Sequence, residues 1–358
     1  MTKANLTAVS LRTSLLILLL TLLTGQAFAQ EPYDPGRASF AVGINNELYP
    51  YREFAAFVLP RERIVIRISD ESDATYTVEA GAGRLEQTEP RRFVWVAPEP
   101  AGRVPITVTK STGEAMHLNM LVMVPADRVL DGVLNGYTIG RYPRPLNDDP
   151  LFAAPRGYIE VHADDLGMPV SPHFVLGQFV SDRTETYPKY IVLRERLLLK
   201  LEALLERLNE TQRVESFAIL SAYRTPARNA SVGGSPYSRH MYGGAAAIIV
   251  DRDPVDGVMD DLDGDGTISR SDAGVLLAIA DALFREAGLT YLQGGLATYA
   301  PTASRGPYLH VDVRGQRARW PTDNDRQRLR NGKAARHKRD FPEYFDIQTR
   351  PPGGDAAR

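Results

Sequence analysis

Twelve residues from Asp261 to Asp272 place carboxylates at the first, third, fifth and last positions of a loop, Asp261, Asp263, Asp265 and Asp272. Calcium takes six to eight hard oxygens, and this register supplies them with the help of the Thr267 carbonyl at position seven and an oxygen of Ser269 at position nine. Gly266 stands at the sharp turn. Three other segments carry imidazole, guanidinium and hydroxyl groups: Ser221-Ala-Tyr223-Arg224-Thr225-Pro226, Ser238-Arg239-His240 running on to Asp251, and Tyr308-Leu309-His310-Val311-Asp312-Val-Arg314. Imidazole nitrogens and a carboxylate oxygen suit tetrahedral zinc, and a catalytic zinc keeps one position for water.

In this order, the three segments resemble the zinc D-alanyl-D-alanine carboxypeptidase and murein endopeptidase superfamily, which includes vancomycin-resistance D,D-dipeptidases and hedgehog signalling domains. The resemblance spans roughly residues 173–320 and implies an α+β zinc-peptidase domain, an antiparallel sheet with helices. It implies that His240 and His310 bind zinc, that Arg224 stabilises charge at the substrate carbonyl, and that Ser238 belongs to the substrate side of the motif. Tyr223 lines a pocket or belongs to the core. The family pattern S-x-H-x-x-G-x-A-x-D sets an aspartate ligand seven residues after the histidine, where this chain has Ala247. A methyl group cannot coordinate zinc. Asp251 lies four residues farther along an expected strand, about 13 Å away, too far to substitute. Several branches place an acid three residues before the last histidine, where this chain has Pro307. Asp312 is then either the general base or a group that orients a ligand or a neighbouring arginine. The acidic loop resembles EF-hand loops and, with aspartate at its end, dockerin-type loops; with no clear helix before it, it reads as a calcium staple.

These groups need elements to position them. Apolar residues at Leu193, Leu197, Leu201, Leu204, Leu205 and Leu208 predict a helix within 190–208, and a second is expected over 273–287. Strands are expected at 217–220, 245–250 and 308–313. Upstream, alternation at 63–69, 75–78, 93–96, 104–109 and 118–124, broken by turn formers, predicts an all-β immunoglobulin-like sandwich over 39–125. The turn-rich stretch 126–165 reads as a linker, 166–322 as the peptidase-like domain, and the basic 323–358 as a flexible tail.

The start of the chain reads as a signal peptide over 1–29, with Lys3 and Arg12, the apolar run Leu15–Leu23 and Ala27-Phe28-Ala29. Its removal takes the formal charge from −2 to −4 by loss of Lys3 and Arg12. An exported protein, periplasmic or extracellular, with no membrane span after cleavage is the expectation. Hydrophobic residues at 43% with 24% charged exclude global disorder and a multi-span membrane protein. The near-neutral charge gives no drive towards nucleic acid, and the absence of cysteine excludes disulfides and thiol chemistry. Three functions follow, of which two lead: a zinc peptidase acting on peptidoglycan peptides, or a calcium-stabilised pseudoenzyme that binds wall peptides or a partner without cutting them. A cell-surface structural protein is a third.

Overall fold

The computed structural model describes residues 32–182 and 184–320. The expected signal peptide and tail lie outside the described residues. Nine strands build the first part: β1 (Arg37–Ile44), β2 (Glu47–Tyr51), β3 (Glu53–Val58), β4 (Arg63–Ser69), β5 (Tyr76–Ala80), β6 (Arg84–Glu89), β7 (Arg92–Val96), β8 (Gly102–Lys110) and β9 (Ala115–Val122). They form two sheets, ordered β2-β1-β4-β7-β6 and β3-β9-β8-β5. The period-two pattern is plain in β4, where Ile64, Ile66 and Ile68 are buried while Arg63, Arg67 and Ser69 face out. Aromatic pairs join the two sheets, Tyr49 on Phe54 at 4.6 Å and Phe40 against Tyr76 at 5.1 Å. Trp95 is fully buried and donates its indole N–H to the Ala82 carbonyl at 2.8 Å. Gly83, with φ +84°, lies so close that a Cβ there would meet the indole nitrogen at 2.6 Å. Pairing is antiparallel except between β3 and β9, because β3 crosses to the second sheet directly after β2 and lies alongside the last strand.

The stretch 126–165 is not a free linker. β10 (Val124–Pro125) pairs with β13 (Gly157–Val161), which pairs with β16 (Lys189–Ile191), so one small sheet spans the expected boundary. Between them, β11 (Val133–Leu134) and β12 (Tyr137–Thr138) form a hairpin on Asn135-Gly136, both at positive φ. Phe152 is buried against Tyr237 and Tyr242. The turn formers that suggested a linker here aim aromatic anchors inward.

The remainder is α+β. β14 (Pro169–Ser171) and β15 (Phe174–Val175) form a short hairpin. α1 (Glu195–Leu208) follows, then β17 (Ala218–Ser221), α2 (Pro226–Ser231), β18 (Ala245–Ile249), α3 (Arg270–Leu283), β19 (Gly295–Tyr299), β20 (Tyr308–Asp312) and β21 (Ala318–Arg319). Their sheet runs β17-β18-β20-β19-β21, with α3 packed on β19 and β20. α1 begins later than expected because residues 189–191 are used by β16. It is buried beyond its leucine stripe, Lys200 and Glu202 included, since it packs against α3 and also against β2 and β3. Glu195 accepts the Phe57 N–H at 3.0 Å, Arg196 pairs with Glu47, and Arg37 pairs with Glu206 at 2.6 Å. The β part and the α+β part therefore share an interface and fall in one compact unit.

Lys200 donates to the carbonyls of Leu292 at 3.0 Å and Asp312 at 2.8 Å, beneath Phe284. Burial pushes its ammonium down to about 7, with the Asp312 charge opposing. An unfolded lysine titrates near ~10.4, so between these values the unfolded chain binds more protons than the folded one. The Lys200 contribution to stability is then complete at high pH and is lost as pH falls towards 7. Urea unfolding of the wild type and Lys200→Met between pH 7 and 9 should show the difference moving in favour of the wild type by about 1 kcal/mol per pH unit. A difference that ignores pH would mean that the ammonium titrates normally.

Candidate functional site

His240 sits in a single 3-10 turn, Arg239–Tyr242, that enters β18 through Gly243 at φ +65°. A Cβ at Gly243 would meet the Val192 carbonyl at 2.5 Å, so only glycine makes this entry. Antiparallel register sets Ala247 of β18 opposite His310 of β20, and Ala245 opposite Asp312. The two histidines are buried and touch, His240 Nε2 to His310 Nδ1 at 3.3 Å. Their other nitrogens fix the tautomers. His240 Nδ1 donates to the Ala222 carbonyl at 2.7 Å, and His310 Nε2 donates to Asp312 at 3.2 Å. Both remaining lone pairs therefore face each other. Two nitrogens on one tetrahedral zinc, each at about 2.05 Å, would stand about 3.3 Å apart. Burial, reinforced for His240 by Arg224 and His310, pushes both imidazoles below their ordinary value, well below it for His240, so they stay neutral.

The third corner is missing. Ala247 lines the same groove with a methyl group, and among the described residues no set of three metal-binding side chains includes either histidine. Asp251 folds back on its own turn, accepting the N–H groups of Asp256 and Gly257 at 3.0 and 2.9 Å. The residues fit two corners of a zinc tetrahedron and fall short of the three that a catalytic zinc site takes from its protein. Pro307 lines the groove where an acid was sought.

Residues 179–260 match the model of the peptidase M15 family. Peptidases of this family are typically zinc-dependent. The M15 match covers under a quarter of the chain, taking in Tyr223, Arg224, Ser238, His240 and Ala247 and ending before His310. No curated protein matches the chain.

Around the matched segment the structure sorts the other candidates. Asp312 is not placed to act as a base. It is fully buried and absent from the groove lining; its oxygens accept from Gly295 N at 2.7 Å, from Arg314 Nε at 2.9 Å and Nη2 at 2.5 Å, and from His310. Burial alone would raise its carboxyl, but Arg314 and His310 hold it well below the usual range. Asp312 positions His310. Arg314, to which sequence reasoning gave no role of its own, stacks over Trp320, which also meets the His310 ring at 4.9 Å. A signal existed: His310 and Asp312 alternate along one strand and so share a face, and Arg314 follows at the same spacing just past its end. Tyr223 is buried, with its hydroxyl on that of Tyr142 at 3.0 Å, and Tyr142 in turn donates to the Met241 carbonyl. Burial pushes the Tyr223 phenol well above its ordinary value. Ser238 and Arg224 line the groove, and the Arg224 N–H holds the His240 carbonyl at 3.1 Å.

In the acidic loop, Asp261, Asp263 and Asp265 bring carboxylate oxygens within 4.8 Å of one another. Asp261 accepts from Gly264 and Gly266, both at 2.8 Å, and Asp265 accepts from Thr267 at 2.8 Å. Asp272 does not join them. It is buried, accepting from Leu262 N at 2.8 Å and Ser269 N at 2.7 Å, and with Ser269 it closes a capping box that starts α3. That box also explains why the helix begins at Arg270 rather than 273.

Asp312→Asn strands Arg314 without a carboxylate in a buried site and should lower unfolding stability by about 3 kcal/mol or more. Denaturant midpoints test this; a loss under about 1 kcal/mol would mean that the pair behaves as an exposed one.

Proposed function

We propose that this protein is an exported, peptidoglycan-directed protein with an M15-type core, which holds wall peptides in the groove over His240 and His310 and whose hydrolytic chemistry is disabled at Ala247. The observation that carries this is the methyl group of Ala247 in register with His310. The groove encloses about 2330 Å³, well beyond the ~300–1,000 Å³ of an ordinary small-molecule site, and so suits an extended ligand. Its floor offers the Arg224 guanidinium as a donor to peptide carbonyls and the imidazole lone pairs as acceptors for peptide N–H groups, and no described carboxylate is positioned as a base. The apolar run Leu15–Leu23 and its small-residue exit support export. Among the described residues no helix is long and apolar enough to cross a membrane.

An active zinc peptidase is the second reading, favoured by the two facing lone pairs at 3.3 Å. Elemental mass spectrometry after dialysis against trace zinc separates the two. The wild type should retain far less than one zinc per chain and leave muropeptides uncut, while Ala247→Asp should bind zinc at least about a hundredfold more tightly. Stoichiometric zinc with muropeptide hydrolysis by the wild type would overturn the proposal, and an Asp variant that binds no better would overturn the placement of the site.

We also propose that Asp261, Asp263 and Asp265, with the Thr267 carbonyl, hold calcium as a staple at the head of α3. Calcium in excess of its dissociation constant should then raise the melting temperature of the wild type and leave that of Asp263→Ala unchanged. Equal shifts in both would remove calcium from this loop.

A further inference from the structure

The charge balance of the groove differs from that of a cation site. Arg224, Arg228 and Arg305 all line it, and among the described residues no carboxylate pairs with any of them. The lining acids are Asp182 and Asp256. Asp182 lies by Lys189 and accepts from the Thr184 N–H at 2.9 Å, while Asp256 accepts from the Val258 N–H at 2.9 Å. Arg224 is the most exacting of the three, because its Nε is buried with no hydrogen-bond partner. A desolvated guanidinium donor left unmatched is costly, so this atom marks a place where an acceptor belongs. The cationic groups that act on Arg224 are Arg305 and Arg228, and burial and these like charges depress its proton affinity. Arg305 lies over the Tyr308 ring at 4.9 Å, and Tyr308 stacks on Tyr299 at 4.6 Å, which gives that guanidinium a fixed backing.

An aspartate at position 247 would have put one negative charge on this floor. With Ala247 in its place, and with Asp312 held by Arg314 and His310, no carboxylate of the described residues balances the Arg224 guanidinium on this floor. We infer that the ligand itself supplies the missing carboxylate: a carboxylate of the bound peptide seats beside the Ala247 methyl and pairs with Arg224, with Arg305 and Arg228 drawing it in. A planar guanidinium fork matches a carboxylate better than it matches a neutral carbonyl. The size of the groove leaves room for a carboxylate carried on a larger chain. This inference rests on the reading that the groove takes wall peptides, and it names the group by which they are recognised.

Calorimetric titration of the mature protein, in zinc-free buffer containing calcium, with a soluble muropeptide and with the same peptide amidated at every carboxylate tests it. The free acid should bind about tenfold or more tightly than the amide, and the preference should shrink as salt is raised. Arg224→Gln should abolish the preference. So should Ala247→Asp, which fills the corner from the protein side and keeps the result interpretable if the arginine variant fails to fold. Equal affinity of the wild type for acid and amide would overturn the carboxylate assignment and leave the wall-peptide reading standing. Binding of neither would overturn both. A preference that survives in either variant would move the carboxylate away from Arg224.

Discussion

The buried carboxylate of Asp312 organises the site more than any other single group. Burying one carboxylate and one guanidinium is costly unless geometry and hydrogen bonding are nearly complete, and here they are. Arg314 donates from both its Nε and its Nη2, Gly295 donates its backbone N–H, and His310 donates Nε2. One charge thereby ties β20 to β19, orients an imidazole and fixes its tautomer. Lys200 from α1 reaches the carbonyl of the same residue, so the helix that faces the β part is anchored to the strand that carries His310. The glycines at 294 and 295 belong to this arrangement, since a Cβ at Gly295 would meet the Asp312 carboxylate at 2.3 Å. A slip in register would take the Gly295 N–H from the Asp312 carboxylate and set a residue with a Cβ where only glycine fits.

Much of this fold is legible in the chain because period-two alternation and turn formers mark the strands. Expected strands at 63–69, 93–96 and 308–313 agree with β4, β7 and β20 to within a residue. β6 escaped because it is exposed on both faces, Arg84 to Glu89, and has no apolar alternation to read. β19 escaped because it opens on glycine and follows a turn. The stretch 126–165 was misread for a more general reason. Composition reports that a segment turns often, but it does not report whether its side chains land in a core, and Phe152, Tyr142 and Leu134 do so in tertiary contacts invisible along the chain.

The site divides in the same way. The resemblance of the three segments to the family motifs singled out His240, Ala247 and His310, and strand register accounts for that spacing, since seven residues after His240 the chain lies directly opposite His310. What spacing could not tell is which oxygen atoms remain free. Asp312 was a candidate base only so long as Arg314 and Gly295 were not seen to occupy it. Asp272 was a candidate calcium ligand only so long as the N–H groups of Leu262 and Ser269 were not seen to do the same. In both cases a carboxylate at a motif position is spent on donors of its own protein, side-chain and backbone for Asp312 and backbone for Asp272, a use that composition and spacing do not distinguish from metal binding or catalysis.

The balance of charge at Ala247 gives the groove its character. A divalent ion needs anionic donors to offset two positive charges in a partly desolvated site, and two neutral imidazoles beside Arg224 offer none. The facing lone pairs of His240 and His310 remain, with their second nitrogens locked by Ala222 and Asp312. Ala247 packs in β18 as its neighbours Ala245 and Ala246 do, so this position serves the sheet through its methyl group and gives the groove no charge. Packing and coordination depend on different atoms of a side chain, and at residue 247 only the packing atoms are present.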